Sequence, residues 1–292
     1  MIKTNEIKIQ ENIIKSLLEL IPQITDHHSP YSSVYKYLSK TSNYSVVKLF
    51  GPEQNSSVDL DILGKIKLPY YSMGAINSTH LFGLDELILF CFYFKNRFSY
   101  KKVADLGANI GLHSIILSNL GFKVTSYEPD LIHFNKIKEN IDLNCSKNKP
   151  IIINKAISTK NGNAEFIRVK NNTTGSHLSG AKESYGQIEK LKVETVSFNE
   201  IIKNFDFLKM DIEGHEAEVL ISTTLNEWED TDAMIEVGNE INGKKIFEFF
   251  KDIKVNMFSQ KINWQPVKQL EDMPSSYKEG SLFISCKNNG PW

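Results

Sequence analysis

From Lys102 onward, short apolar runs alternate with stretches whose apolar residues recur at helical spacing, and this alternation constrains the fold more than any other feature of the chain. KVADLG, FKVTSYEP and PIIINKAI read as strands, with IGLHSIILSNL and LIHFNKIKENIDLN as the helices between them. Further on, FDFLKMD and DAMIEVG are two more strands, each leading into a helical pattern, and GSLFISCK reads as a last edge strand. This is the rhythm of an α/β fold with a doubly wound, mostly parallel sheet. A polar insertion, Ser158 to Val196, interrupts it. The runs AEFIRV and LKVETV flank a Gly/Ser/Asn-rich stretch there, so a hairpin-like excursion with a mobile tip is expected.

Residues 1–99 do not follow the rhythm. NEIKIQENIIKSLLELI places Ile9, Ile13, Leu17, Leu20 and Ile21 at helical spacing, and GLDELILFCFYFKNRF reads as a second helix with an acidic first turn. Between them a Tyr- and Ser-rich stretch, Ser29 to Tyr44, carries no assignment. A strand is expected around Val58 to Leu68 and an aromatic loop from Tyr70 to Gly83. The division drawn is an N-terminal helical extension, 1–99, acting as a substrate lid or an oligomer contact, and a main ligand-binding domain, 100–292.

With 292 residues, 41% of them apolar, the chain has ample material for a core. A net charge of -1 without basic runs gives no footprint for a polyanion, so nucleic acid is not an expected partner. Arg97 and Arg168 are the only arginines, which leaves little for bidentate phosphate recognition. Cys91, Cys145 and Cys286 are far apart and lack ligand spacing, which argues against a disulfide framework or a zinc site. Lys3, Glu6, Lys8 and Glu11 occupy the place of a signal peptide's apolar core, and LILFCFYF is too short for a membrane span. A cytoplasmic protein is expected.

In an open parallel sheet the ligand crevice lies beyond the carboxyl ends of the strands. After the first strand comes Asp105-Leu-Gly107-Ala-Asn109-Ile-Gly111, which departs from the G-x-G-x-x-G of dinucleotide folds. The loop starts acidic and offers nothing to hold a phosphate. S-adenosylmethionine suits it better, having no phosphate but a sulfonium and an ammonium that a carboxylate can face. The second strand ends in Tyr127-Glu128-Pro129-Asp130, where Glu128 is placed to accept hydrogen bonds from both hydroxyls of a ribose.

VADLGANIGLHSIIL, SYEPD, NKAISTKNGNAEF and FLKMDIEGHEAEVL together resemble the FkbM family of S-adenosylmethionine-dependent methyltransferases, from about residue 80 to about residue 285. Most specific is the order lysine, hydrophobic residue, aspartate, acid-glycine step and second glutamate, matched by Lys209, Asp211, Glu213, Gly214 and Glu216. The resemblance implies a class I, Rossmann-like fold with a sheet of the seven-stranded type, and methylation of hydroxyl groups, often on sugars or secondary metabolites. It also implies that Ala156, beside Lys155, passes the adenine edge of the cofactor largely through its backbone. The expected cofactor-binding set is Asp105, Gly107, Asn109, Gly111, Glu128, Ala156 and Asp211.

Strand alternation puts Phe207, Lys209 and Asp211 on one side and Leu208 and Met210 on the other, bringing Asp211 to the crevice rim. A hydroxyl nucleophile sheds its proton around the transition state of methyl transfer, so Asp211 and His215 are the candidate catalytic groups. Gly214 permits a sharp chain exit, while Glu213 and Glu216 suit the positive end of a helix. In the insertion, Asn172, Ser176 and His177 are placed to cover an acceptor. A divalent ion on Asp211, Glu236 and Asn239 is a less favoured alternative. The expected function is an O-methyltransferase acting on a sugar, a glycan or a polyhydroxylated small molecule. The competing readings are a ribose 2'-O-methyltransferase on RNA, opposed by the charge, and a non-enzymatic subunit; an NAD dehydrogenase comes last. A homodimer through the extension is a further expectation.

Overall fold

In the computed structural model, which describes residues 2–74, 76–170, 172–183 and 186–292, the alternation after Lys102 becomes a parallel sheet wound on both faces. Strands β3 (Lys102–Leu106), β4 (Lys123–Tyr127) and β5 (Ile151–Ile153) run on one side of the centre, joined by helices α4 (Leu112–Asn119) and α5 (Leu131–Asn144). On the other side are β10 (Phe207–Met210) and β11 (Asp232–Glu236), with α6 (Phe198–Ile201) before β10 and α7 (Glu216–Leu220) and α8 (Leu225–Trp228) between the two. Helix α9 (Glu240–Asp252) then leads to β12 (Asn256–Ser259), β13 (Gln265–Pro266) and β14 (Ser281–Ser285).

The strand order is β13-β12-β14-β11-β10-β3-β4-β5, eight strands where seven were expected. The extra one is β13, two residues that pair back on β12. GSLFISCK also departs from its expected edge position, since β14 lies antiparallel between β11 and β12. The last four residues of β14, Leu282 to Ser285, are buried, as a strand covered on both faces requires. The winding reverses between β3 and β10, which are parallel neighbours, so the crevice opens above Leu106 and Met210.

The insertion forms a second sheet of order β6-β9-β7-β8, made of β6 (Ala156–Ser158), β7 (Gly162–Val169), β8 (His177–Leu178) and β9 (Ile188–Ser197). The expected hairpin is the antiparallel pair β7–β9. PIIINKAI, read as one strand, is divided between the two sheets. Its break is at Asn154, whose side-chain amide donates to the carbonyls of Glu128 and Pro129 and turns the chain there. Ser184 and Tyr185, in the stretch expected to be mobile, lie outside the described residues.

Strand alternation sorts the core. Val103, Phe207, Met234 and Phe283 belong to one apolar cluster, and Ala104, Leu208, Ile235 and Ile284 to the other. Helices α1 (Ile2–Leu20), α2 (Ser33–Phe50) and α3 (Leu84–Lys95) pack into the first cluster. One core therefore runs across the division drawn at residue 99. The Tyr/Ser-rich stretch left unassigned forms most of α2, because Tyr35, Leu38, Ser42, Val46 and Leu49 make one buried face at helical spacing. Val58 to Leu68 holds only two-residue strands, β1 (Val58–Asp59) and β2 (Lys65–Ile66), paired as a hairpin. Among the described residues no helix is long and apolar enough to cross a membrane.

Candidate active site

Two clefts open at the carboxyl ends of β3 and β10, and Asp211 lines both. The first, of about 600 Å³, is bounded by Gly107, Asn109, Glu128, Ala156, Asp211 and Glu213 among others. Its floor is the turn after β3. Gly107 has φ +79°, and a Cβ there would come within 1.8 Å of the Asp211 carbonyl oxygen, so only glycine lets the two central loops touch. Asn109 also takes a left-handed conformation, φ 52°, and donates its backbone N–H to Glu128 Oε2 at 2.8 Å. The side-chain oxygen of Asn109 is buried without a hydrogen-bond partner.

Glu128 is 6% exposed, and its other oxygen accepts the backbone N–H of Asp130 at 2.8 Å. Burial pushes its carboxyl up to about 8 against the pull of these two donors. Each carboxylate oxygen keeps lone-pair capacity facing the cleft. Asp130 caps α5 through Ile132 and is gripped bidentately by Arg168 of β7 at 2.7 and 2.8 Å. That pair pins the second sheet over the first cleft, where Phe166, Thr173, Ser176 and Leu178 form the roof. His133 meets the Thr173 hydroxyl at 3.0 Å beneath the roof. The insertion thus covers the first cleft, and none of its described residues lines the second.

Two members of the expected cofactor set lie elsewhere. Asp105 is fully buried beneath the turn, where one oxygen accepts from Ser114 at 2.5 Å and the other is 3.9 Å from Lys209 Nζ. Gly111 starts α4 with φ +88°, and a Cβ on it would press on Ile137 of α5 at 3.1 Å; its glycine serves helix packing. Gly107, Asn109, Glu128, Ala156 and Asp211 are brought together around the first cleft.

The second cleft, of about 730 Å³, is lined by His80 and Glu86 from the extension, by Lys209, Asp211 and Glu236 at strand ends, and by Tyr277 and Ser281 before and in β14. Lys209 is 8% exposed, and its ammonium is 3.6 Å from Asp211 and 3.9 Å from Asp105. Burial opposes its charge, yet Asp211, Asp105, Glu86 and Glu236 together raise its pKa above the ordinary lysine value. Glu236 shows the converse: loss of solvent, and then repulsion by Asp211, Glu213, Glu216 and Glu86, push its carboxyl well up. Glu86 Oε2 lies 2.9 Å from His113 Nε2 without hydrogen-bond geometry, and His113 Nδ1 meets the Tyr93 hydroxyl at 2.9 Å. Sequence reasoning took Glu86 for a helix-start charge; the signal that it also faces a cleft exists only in three dimensions.

Past Met210 the chain turns tightly. Glu216 reaches back to accept the N–H groups of Ile212 at 2.8 Å and Gly214 at 2.9 Å, which holds the turn. Burial pushes Glu216 up to about 7, and Glu213, paired with Lys182, is likewise pushed up to about 7 by burial and then by Asp211. His215 lines neither cleft; its ring faces Ser158 of β6 at 3.5 Å, and burial lowers its pKa. Of the three groups considered for a metal, Asn239 instead caps α9 by accepting from Asn242 at 2.8 Å. Among the described residues no group of three or more His, Cys, Asp or Glu side chains is arranged to hold a metal ion.

Comparison with known proteins adds a family. The sequence profile of the methyltransferase FkbM domain matches residues 105–260. Hexuronic acid methyltransferase AglP of Haloferax volcanii is 24% identical over 164 residues, which are 54% of this chain and 65% of that protein, just under two thirds of its length. Among solved structures, methyltransferase FkbM from Methylobacillus flagellatus aligns with a TM-score of 0.38 at 13% identity, over 69% of this chain and 54% of its own. An O-methyltransferase from Bacillus cereus in complex with SAH aligns at a TM-score of 0.35 and 9% identity, over 67% and 78%.

Proposed function

The chain belongs to the methyltransferase FkbM domain family, and from that premise we propose that it is an S-adenosylmethionine-dependent O-methyltransferase acting on a hydroxyl of a sugar, glycan or other polyhydroxylated small molecule. One observation carries the reading: Asp211 forms the wall between two clefts, one suited to the cofactor and one open for an acceptor. The residues of the first cleft fit the cofactor. The unpartnered Asn109 oxygen and the spare lone pairs of Glu128 supply acceptors for ribose hydroxyls and the ammonium, and Phe166, Leu178 and Ile157 give an apolar bed for a purine. S-adenosylmethionine, when bound, supplies an electrophilic methyl carbon on its sulfonium.

The chain's own residues do the rest. Gly107 and Asn109 shape the floor, Glu128 anchors the ribose, and the β7–β8 roof pinned by Arg168 sheds water from the cleft. Asp211 would take the acceptor hydroxyl's proton as that oxygen displaces the thioether of S-adenosylhomocysteine from the methyl carbon. The Lys209 ammonium, 3.6 Å from Asp211, helps to hold that side chain at the rim between the clefts. The ring of His215 points away from both clefts, which favours a structural role over a relay with Asp211. The hexuronic acid in the name of the archaeal relative supports a sugar as acceptor.

The test is calorimetry with S-adenosylmethionine, S-adenosylhomocysteine and NAD, followed by mass spectrometry of glycosides incubated with protein and S-adenosylmethionine. Binding of the first two ligands and a mass gain of one methyl group are expected. Heat with NAD alone would overturn the reading.

A further inference from the structure

The second cleft holds a buried cation with no hydrogen bond. Lys209 is 8% exposed, and its ammonium reaches only Asp211 and Asp105, at 3.6 and 3.9 Å, both beyond hydrogen-bond length. Bordering the cleft without a hydrogen bond of its own, the ammonium is free to donate one to a ligand oxygen. Facing the same space, the half-buried Glu236 carboxyl makes no hydrogen bond among the described residues, while the buried Glu86 Oε2 lies 2.9 Å from His113 Nε2.

The balance of charge is acidic. Glu86 and Asp211 face one lysine that Asp211 and the buried Asp105 already share, and the Glu236 carboxyl beside them is crowded by the same acidic neighbours, as a carboxylate on a ligand would be. The other group there able to carry positive charge, His80, lies exposed at the rim with Nδ1 engaged by the backbone of Asn77. Carboxyl groups accept well from hydroxyls and repel a carboxylate brought among them.

We infer that this second cleft is the acceptor chamber and that it selects an uncharged, hydroxyl-rich sugar over a uronic acid. The inference rests on the methyltransferase reading above and names the acceptor class of the same site. It gives the extension a task, because Glu86 and His80 form one wall of the chamber.

The test compares phenyl β-D-glucopyranoside with phenyl β-D-glucuronide, each titrated by saturation-transfer NMR against the full chain saturated with S-adenosylhomocysteine. The neutral glycoside should bind at least about tenfold more tightly. Ser281→Trp, which places an indole in the chamber, should erase its signal while leaving S-adenosylhomocysteine binding by calorimetry intact; Ser281→Tyr serves as a smaller plug should the first variant unfold. Equal or tighter binding of the glucuronide, no binding of either glycoside, or a signal that survives the plug would each overturn the inference. The comparison on the parent chain decides the charge preference even if both plugs unfold. Failure of the methyltransferase reading looks different: S-adenosylhomocysteine itself would give no heat.

Discussion

Asp211 has neighbours on three sides: Lys209 at 3.6 Å, the first cleft and the second. Asp211→Asn keeps the shape and removes the charge, so turnover should fall by about two orders of magnitude or more while S-adenosylhomocysteine affinity changes little. Near-normal turnover would remove Asp211 from the role of base. His215→Ala, by contrast, should cost much less than Asp211→Asn, since the ring faces Ser158; equal losses in the same kinetic assay would mean the two work as a relay. Glu128→Ala should weaken cofactor binding by about 1–3 kcal/mol through lost hydrogen bonds to the ribose, read by calorimetry. The site was partly legible in the sequence. Gly107, Asn109, Glu128 and Asp211 follow strands that periodicity alone locates, whereas Asp105 and Gly111 have the right spacing but serve the interior. Nothing in a linear pattern separates a side chain aimed into a crevice from one aimed beneath its floor.

The elements that carry the site are strand ends held by unusual turns. At the centre, the turn after β3 meets the turn after β10, and Gly107 is the contact. Gly107→Ala should therefore destabilise the fold by at least about 2 kcal/mol, from left-handed strain and from a Cβ driven into the Asp211 carbonyl. Thermal unfolding of the variant checks this, and an unchanged melting temperature would mean the loops are looser than the geometry indicates. Helix α2 shows why an element escaped notice. Its buried face mixes Tyr35, Ser42 and Ser45 with Leu38, Val46 and Leu49, so the apolar period is diluted by small polar residues. Ser45 is satisfied by Gln10 of α1 at 2.8 Å, a partner that the local sequence does not announce. The inward position of β14 escaped for a similar reason, because the strand that covers its far side, β12, is only four residues long.

At the scale of the molecule, the extension and the sheet share one core, tied by polar contacts that span the chain. His28 Nε2 donates to the Ile21 carbonyl at 2.9 Å while Nδ1 accepts from Trp264 at 2.9 Å, an arrangement that needs the neutral ring. Burial lowers its pKa from 6.5 to about 4. The unfolded chain then binds the extra proton between these values, so this stabilisation is complete above about pH 6.5 and is lost as pH falls toward 4, at most about 3 kcal/mol. In acid melts, His28→Gln should show a shallower fall than the parent over that window, and parallel curves would refute the assignment. A chain beginning at Phe82 should expose the buried faces of Leu87, Phe90 and Phe92 and aggregate on size exclusion. A monomeric, equally stable and active product would show the extension to be dispensable.

The sequence by itself determined the strand-helix alternation after Lys102 and the glycine turns that follow β3 and β10, because these depend on short-range period, glycine conformation and residue type. The tertiary structure alone decided that Asp211 divides two clefts, that Glu86 of the extension faces Lys209 and Glu236, and that His215 turns away. Those outcomes depend on how a twisted sheet and its covering helices bring distant segments together, and packing of that kind leaves no mark within any one stretch of the chain.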